Sequence, residues 1–261
     1  MNAAVFGPWL RCYQRRPAAA VRLVCFPHAG GGAGSFRAWD ALLPSSVELV
    51  CVQYPGREDR FADPLVDEMS ALTAPVADAV ARLADRPYLV FGHSMGSAVA
   101  YETVQRLRAL GAREPQWLFV SGRPAPGDVV GGEVHLRDDD GLCAELNRLG
   151  GTHRDVLSDP ELRRAVLNYV RNDYRLIERY RPEPAAPLDC PIMVLRGDGD
   201  PELSRQQATG WGRVTRGRLD VHTFPGDHFY LVPQRRAVVA AILGRLDPVL
   251  TRAPTDWPSM P

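Results

Sequence analysis

One serine of this chain is placed for nucleophilic chemistry. Residues 92–96 read Gly-His-Ser-Met-Gly, a G-x-S-x-G pattern, and they follow the short apolar run at residues 87–91. From Ser97 onward the residues favour a helix. A strand, a sharp turn with a central serine and then a helix is the context in which the serine, here Ser94, projects its Oγ above a sheet as a nucleophile. The N-terminus of the helix would point toward any anion that forms there.

The same turn also has a purely structural interpretation. A glycine-rich connection between a strand and a helix often carries a serine as the N-cap residue. Nucleophilic chemistry requires more, because a serine hydroxyl is a poor nucleophile at neutral pH unless a base and an orienting acid lie within reach. The remaining chain therefore has to supply those two groups.

Both partners occur after Ser94, in the order serine, acid, histidine that one arrangement of serine hydrolases uses. Asp198 and Asp200 follow one strand-like run, and His228 follows the next. We interpret His228 as the base that takes the proton from Ser94 Oγ and returns it to the leaving group, while one aspartate orients its ring. Spacing alone does not separate Asp198 from Asp200.

Two neighbouring residues fit these roles less well. His222 lies inside the last strand-like run, where it packs or points to solvent. Asp227 adjoins His228, and a direct neighbour rarely folds back to orient the same ring, so we interpret Asp227 as a turn residue.

A second glycine-rich segment predicts an oxyanion hole. Residues 28–32 read His-Ala-Gly-Gly-Gly and follow an early strand, which is similar to the loop that supplies an oxyanion amide in many serine hydrolases. We assign the two donors to the backbone amides of Ala29 and Met95, and we expect His28 and Gly30 to contact the substrate. The alternative, a phosphate-binding loop, fits less well because no G-x-G-x-x-G and no Walker lysine is present.

Composition excludes several other classes of function. The formal net charge is zero, so no overall positive field attracts nucleic acid or an anionic membrane. No apolar run is long enough to span a membrane, and residues 1–8 lack the features of a secretory signal. We therefore expect a cytoplasmic protein.

The cysteines argue against metal binding and against a disulfide framework. Their number is odd, whereas a disulfide framework in a secreted protein uses an even number. They are scattered along the chain, and no C-x-x-C pair of the kind found in zinc sites is present. These residues are Cys12, Cys25, Cys51, Cys143 and Cys190. We expect free thiols, no metal and no cofactor.

Strands and helices alternate along most of the chain, which predicts a mostly parallel sheet with helices on both faces. Strand-like runs lie at 21–26, 47–53, 87–91, 117–120, 191–196 and 219–224, and residues 9–13 read as a short edge strand. Helical patterns lie at 36–44, 69–83, from 97 onward, and at 138–149, 160–180, 205–211 and 238–246. An α/β core over 1–124 and 188–250 follows from this alternation.

The alternation is interrupted at residues 125–187, where we find helical patterns but no convincing strand. An insertion between these two strands would lie over the crevice at the carboxyl ends of the strands, where open α/β sheets bind ligands. We therefore predict a helical lid at 125–187. Residues 251–261 are rich in proline, and we expect them to be disordered.

Six short motifs together resemble one family, the type II thioesterases, which are the free-standing editing hydrolases of polyketide synthases and non-ribosomal peptide synthetases. The motifs run in order over nearly the whole chain. They are Phe-Pro-His-Ala-Gly-Gly at 26–31, Tyr-Pro-Gly-Arg at 54–57, Gly-His-Ser-Met-Gly at 92–96, Ser-Gly-Arg at 121–123, Gly-Asp-Gly-Asp at 197–200 and Gly-Asp-His-Phe at 226–229.

The resemblance implies an α/β-hydrolase fold with a helical lid, and it implies Ser94, Asp200 and His228 as the catalytic residues, with Asp200 rather than Asp198 as the acid. It further implies hydrolysis of acyl thioesters on the 4′-phosphopantetheine arm of an acyl or peptidyl carrier protein. Arg57, Arg123 and the arginines of the insertion are candidates to meet the phosphate of that arm or an acidic helix of the carrier protein. We expect a monomer that binds neither nucleic acid nor membrane. A general carboxylesterase or lipase, and a non-catalytic carrier-binding module, are the alternatives.

Overall fold

The computed structural model describes residues 4–128, 131–150 and 159–246. Its strands are β1 (Ala4–Val5), β2 (Leu10–Cys12), β3 (Val21–Phe26), β4 (Val47–Val52), β5 (Tyr88–His93), β6 (Leu118–Ser121), β7 (Ile192–Gly197) and β8 (Leu219–Phe224). Its α-helices are α1 (Met69–Ala81), α2 (Met95–Ala109), α3 (Asp139–Leu149), α4 (Pro160–Arg179), α5 (Arg205–Ala208) and α6 (Arg235–Leu243). Short 3₁₀ segments lie at Ala33–Leu42, Glu58–Arg60, Val134–Leu136 and Thr209–Val214.

All eight strands form one sheet in the order β1-β2-β4-β3-β5-β6-β7-β8. The six strands from β3 to β8 run parallel, and β1 and β2 are antiparallel to their neighbours. The predicted mostly parallel sheet is therefore confirmed. Because parallel strands place their carboxyl ends at the same edge, the loops after β3, β5, β6, β7 and β8 all meet there.

The sheet separates two apolar cores, one on each face. On β3, Val24 and Phe26 belong to the core beneath α1 and α2, whereas Leu23 and Cys25 belong to the core with Trp39. Such alternation follows from the two-residue period of a strand, and a strand buried on both faces must be apolar throughout. This explains why the runs that predicted the central strands are almost continuously apolar.

Two predictions near the N-terminus are wrong in detail. Residues 9–13 do contain a strand, β2, but it is not at the edge, because β1 pairs with its outer side. A two-residue strand carries too little periodicity to be seen in the sequence. The helical pattern at 36–44 corresponds to the 3₁₀ segment Ala33–Leu42, whose Phe36 and Trp39 are spaced by three residues and buried together.

The segment between β6 and β7 holds α3, α4 and one 3₁₀ turn, and the predicted helices at 138–149 and 160–180 match α3 and α4. Each helix begins at an aspartate whose side chain accepts backbone amide hydrogen bonds, Asp138 for α3 and Asp159 for α4. The two helices share a small apolar cluster of Leu142, Leu146, Leu167 and Val170. The predicted tail at 251–261 lies outside the described residues, as do 129–130 and 151–158 of the predicted lid.

Within the described ranges, no helix is both long enough and apolar enough to cross a membrane.

Candidate active site

Ser94 occupies a strained turn between β5 and α2. Its backbone has φ 53° and ψ −120°, a conformation that residues with a Cβ rarely adopt and that is held only where the surroundings impose it. Its amide donates to the carbonyl of Ser121 over 2.8 Å, which ties the turn to the end of β6. This is the strand, turn and helix arrangement that presents a serine hydroxyl above a sheet.

The two glycines of the motif are required by close backbone approach. A Cβ at Gly92 would overlap the carbonyl oxygen of Gly96, and a Cβ at Gly96 would overlap the carbonyl oxygen of Phe26. Rotation of a side chain cannot relieve a clash with backbone. The first turn of α2 can therefore pack against the ends of β3 and β5 only because both positions lack a side chain.

His228 and Asp200 meet in the loops after β8 and β7. The distance from His228 Nδ1 to Asp200 Oδ1 is 3.0 Å, and the two side chains are 2% and 0% exposed. Asp200 Oδ1 also accepts the amide of Glu202 over 2.8 Å. A carboxylate in this position fixes which ring nitrogen carries the proton and leaves Nε2 available to act as a base.

The other two aspartates of these loops hold the backbone. Asp198 Oδ1 accepts the amide of Gly226 over 2.9 Å and so joins the loop after β7 to the loop after β8. Asp227 Oδ1 accepts the amide of Phe229, two residues on, over 2.9 Å. This is the turn-type bond expected of Asp227. The geometry therefore pairs His228 with Asp200 and uses Asp198 to shape the turns.

A cavity of about 20 Å³ brings together four of the predicted site residues, His28, Ala29, Ser94 and His228. It is lined by His28, Ala29, Ser94, Leu146, Leu149, Tyr174, His228 and Phe229. Ala29 belongs to the glycine-rich loop after β3, and Met95 is the first residue of α2. In the described part of the chain neither of these two amides donates a hydrogen bond to another protein group.

The segment between β6 and β7 covers this cavity. Leu146 and Leu149 come from α3, and Tyr174 comes from α4. A volume of about 20 Å³ holds roughly one water molecule.

A buried histidine that the sequence analysis passed over lies beside His228. His93 is fully buried, its ring centroid is 4.9 Å from that of His228, and its Nδ1 lies 2.9 Å from Ser121 Oγ. Ser121 Oγ in turn lies 2.7 Å from the hydroxyl of Tyr230. The family-like motif at 121–123 marked Ser121, but no periodicity or spacing indicated this contact.

His93 is held neutral at its position. Burial lowers its pKa well below the usual value for histidine, and the nearby His228 and His28 lower it further. Burial likewise lowers the pKa of His28 to about 3, with added repulsion from His228 and Arg57. Neutral neighbours do not oppose a positive charge that forms on His228.

The protein is expected to lose stability in acid through His93. Below pH ~6.5 the unfolded chain binds a proton on this residue that the folded chain does not bind, so the free energy of unfolding falls as the pH falls. Between pH 7 and pH 5, the free energy of unfolding of His93→Asn is expected to fall by about 2 kcal/mol less than that of the native protein, because the variant lacks the titrating ring. Urea unfolding at the two pH values measures this difference.

The exposed His222 provides the matched control. His222→Asn makes the same substitution at an exposed side chain, outside the cluster of His28, His93 and His228. An equal loss of stability in His93→Asn and the native protein would show that His93 does not drive the acid response.

Arg57 and Gly30, two of the predicted ligand contacts, are both bonded to Asp173. Arg57 does not face an open surface: its guanidinium is 4% exposed and paired with the carboxylate of Asp173. It is therefore not a candidate for a substrate phosphate. Gly30 stays a predicted substrate contact, but its amide already donates to Asp173 Oδ2 over 2.8 Å.

The structure bears on the cysteines and on possible metal ligands. All five cysteines are free thiols. Across residues 4–128, 131–150 and 159–246, no cluster of three or more histidine, cysteine, aspartate or glutamate side chains could hold a metal ion.

Comparison with known proteins gives the family. Residues 21–246 match the model described as the thioesterase domain. The chain is 42% identical over 240 residues to "Probable cadicidin biosynthesis thioesterase" of Streptomyces griseus, which covers 92% of this chain and 66% of that protein. It is 40% identical over 251 residues to "Thioesterase PikA5" of Streptomyces venezuelae, covering 96% of this chain and 89% of that one.

A solved structure has the same fold. The type II thioesterase BorB from the borrelidin biosynthetic cluster superposes with a TM-score of 0.85 at 39% identity, covering 92% of this chain and 98% of that chain. The predicted fold class and the predicted family resemblance are both confirmed by these matches.

Proposed function

This chain belongs to the thioesterase family, and we propose that it hydrolyses acyl thioesters on the phosphopantetheine arm of acyl or peptidyl carrier proteins, with Ser94, His228 and Asp200 as its catalytic residues. In this role it removes stalled or aberrant acyl units from polyketide or non-ribosomal peptide assembly. The likeness to the type II thioesterase BorB, which comes from the borrelidin biosynthetic cluster, supports the proposal.

The observation that carries the proposal is a conjunction at one cavity. Ser94 lies on a strained turn and lines the cavity, and His228, whose ring contacts Asp200, lines the same cavity. The amides of Ala29 and Met95 have no other acceptor in the described ranges. A serine, a base, an orienting acid and two amide donors are the complete set of groups that acyl transfer requires.

Acylation begins when Ser94 Oγ attacks the thioester carbonyl carbon. His228 Nε2 takes the hydroxyl proton as the Oγ–C bond forms, and the carbonyl oxygen becomes an anion that accepts hydrogen bonds from Ala29 and Met95. The C–S bond then breaks, and the thiol leaves with the proton from His228. The acyl group is left as an ester on Ser94.

Deacylation repeats the sequence with water. His228 takes a proton from a water molecule as it attacks the ester carbonyl, and the proton then returns to Ser94 Oγ as the acid is released. Asp200 keeps the His228 ring in one tautomer and stabilises the imidazolium that forms in both half-reactions. No step requires a metal or a cofactor, since a thiol is a good leaving group and the amides stabilise the oxyanion.

A general carboxylesterase would use the same groups, so the choice of leaving group decides between the two activities. We expect kcat/KM for an acyl-phosphopantetheine carrier thioester to exceed that for the oxygen ester of the same acyl group. Release of the free acid, followed by mass spectrometry, measures both. A clear preference for the oxygen ester would favour the carboxylesterase instead.

A further inference from the structure

Arg57 and Asp173 form a buried ion pair between two distant parts of the chain. Arg57 ends the Tyr-Pro-Gly-Arg motif after β4, and Asp173 lies on α4, in the segment that covers the active site. Arg57 Nη2 donates to Asp173 Oδ1 over 2.8 Å, and Arg57 Nη1 donates to Asp173 Oδ2. Both side chains are 4% exposed. Such a two-pronged pair fixes geometry as well as charge.

The same pair holds the loop that carries the Ala29 amide. Asp173 Oδ2 accepts the amide of Gly30, the residue directly after Ala29, over 2.8 Å. Arg57 Nη1 also donates to the carbonyl of Gly31 over 3.2 Å. The orientations of two successive residues of the loop are thus set by one carboxylate and one guanidinium.

Packing around the pair leaves it little freedom. The guanidinium carbon of Arg57 lies 4.8 Å from the ring centroid of Tyr169 on α4 and 5.5 Å from that of Tyr54. The hydroxyl of Tyr54 donates to the carbonyl of Pro27, just before the loop, over 3.2 Å. Gly30 has φ 83°, and a Cβ there would come within 2.9 Å of Val170 Cγ2. Helix α4 therefore packs directly against the loop.

We propose that Asp173, held by Arg57, is a positioning residue for the oxyanion hole, so that α4 sets the Ala29 amide whenever it is docked. This inference rests on the proposed function for the identity of the substrate. The positioning role itself requires only that acyl transfer takes place at Ser94. Without the bond to Asp173, the peptide at Gly30 could rotate and turn the adjoining Ala29 amide away from the cavity. A misplaced amide would stabilise the oxyanion of the transition state less, while binding of the ground-state substrate would change little. The covering segment and the oxyanion hole would then form as one unit.

Asp173→Ala and Asp173→Asn test the proposal. Outright loss of one oxyanion donor costs about 10²–10³ in kcat, and an indirect effect through Gly30 is expected to cost about 10- to 100-fold, with little change in KM. The inhibition constant of a trifluoromethyl ketone analogue of the acyl-pantetheine substrate, which forms an oxyanion with Ser94, should rise by the same factor. Binding of the matching amide analogue, which forms none, should stay as in the native enzyme.

Two variants control for loss of stability and loss of docking. Glu48→Gln breaks a comparably buried pair, Glu48 Oε2 to Arg22 Nε at 2.9 Å, at the other end of the sheet. Asn172→Ala removes the bond from α4 to the carbonyl of Val66, 2.8 Å in length, without touching the loop. Both are expected to keep the native kcat and the native inhibition constant, with active sites counted by a fluorophosphonate. Asp173→Asn preserves the side-chain volume, so it decides the outcome if Asp173→Ala does not fold.

The outcomes separate this inference from the proposed function. Native kcat and native ketone inhibition in folded Asp173→Asn would overturn the positioning role, and so would a loss of kcat without weaker ketone inhibition. If the native protein proved to hydrolyse oxygen esters rather than carrier thioesters, the proposed substrate would be wrong. The same variants assayed on the ester would still test the positioning role.

Discussion

Replacing Ser94 with alanine is expected to lower kcat for thioester hydrolysis by about 10⁴- to 10⁶-fold, because the group that becomes acylated is gone and only binding and the oxyanion hole remain. The fold should survive, since the Ser94 amide keeps its bond to the carbonyl of Ser121. Release of acid from the carrier thioester, measured under single-turnover conditions, gives the rate.

Ser97 offers a matched control three residues further along. Its buried hydroxyl lies 2.9 Å from the carbonyl oxygen of Gly92 and 3.0 Å from that of Ser121, and can donate to either. Ser97→Ala should therefore reduce stability but leave the chemistry of the folded protein near the native rate. If Ser94→Ala retained a rate within tenfold of the native enzyme, Ser94 would not be the nucleophile.

Replacing Asp200 with asparagine is expected to cost about 10³- to 10⁴-fold in kcat. The change keeps the shape of the side chain but removes the charge that stabilises the His228 imidazolium and selects its tautomer. The 3.0 Å contact between Asp200 Oδ1 and His228 Nδ1 is the geometry on which this depends. Steady-state kinetics on the thioester substrate measure the loss.

Asp198→Asn separates the two aspartates that spacing left unresolved. The amide oxygen of asparagine can still accept the bond from the Gly226 amide, so this variant should turn over substrate at close to the native rate. A larger loss in Asp198→Asn than in Asp200→Asn would reverse the assignment of the acid.

The central strands and the turn at Ser94 could be predicted from the sequence because each is determined by a short, continuous stretch of residues. Strands β3 to β7 are buried on both faces and are therefore almost continuously apolar, and the glycines around Ser94 mark a turn that nothing larger could form. The edge strand β1 and the 3₁₀ geometry of one segment were not predicted, because neither leaves a clear pattern in the sequence. Strand β1 has two residues, and the segment Ala33–Leu42 packs with 3₁₀ rather than α-helical geometry.

The parts of the site that could not be predicted are contacts between distant segments. Nothing in the spacing of Arg57 and Asp173, which are 116 positions apart, indicates that they pair. The same holds for the contact between the rings of His93 and His228 and for the hydrogen bond between Ser121 Oγ and the Tyr230 hydroxyl. A motif identifies residues that matter, whereas the register of the sheet and the docking of α4 decide what each one touches.

Fluorophosphonate labelling followed by peptide mass spectrometry tests the central claim most directly. The probe reacts with a serine only where a base activates it and amides stabilise the resulting anion. We expect the label on Ser94 in the native protein, no label at this position in Ser94→Ala, and much slower labelling in His228→Ala. A native protein that turns over thioesters while Ser94 stays unlabelled, or that labels Ser94 equally well without His228, would contradict the proposed catalytic site.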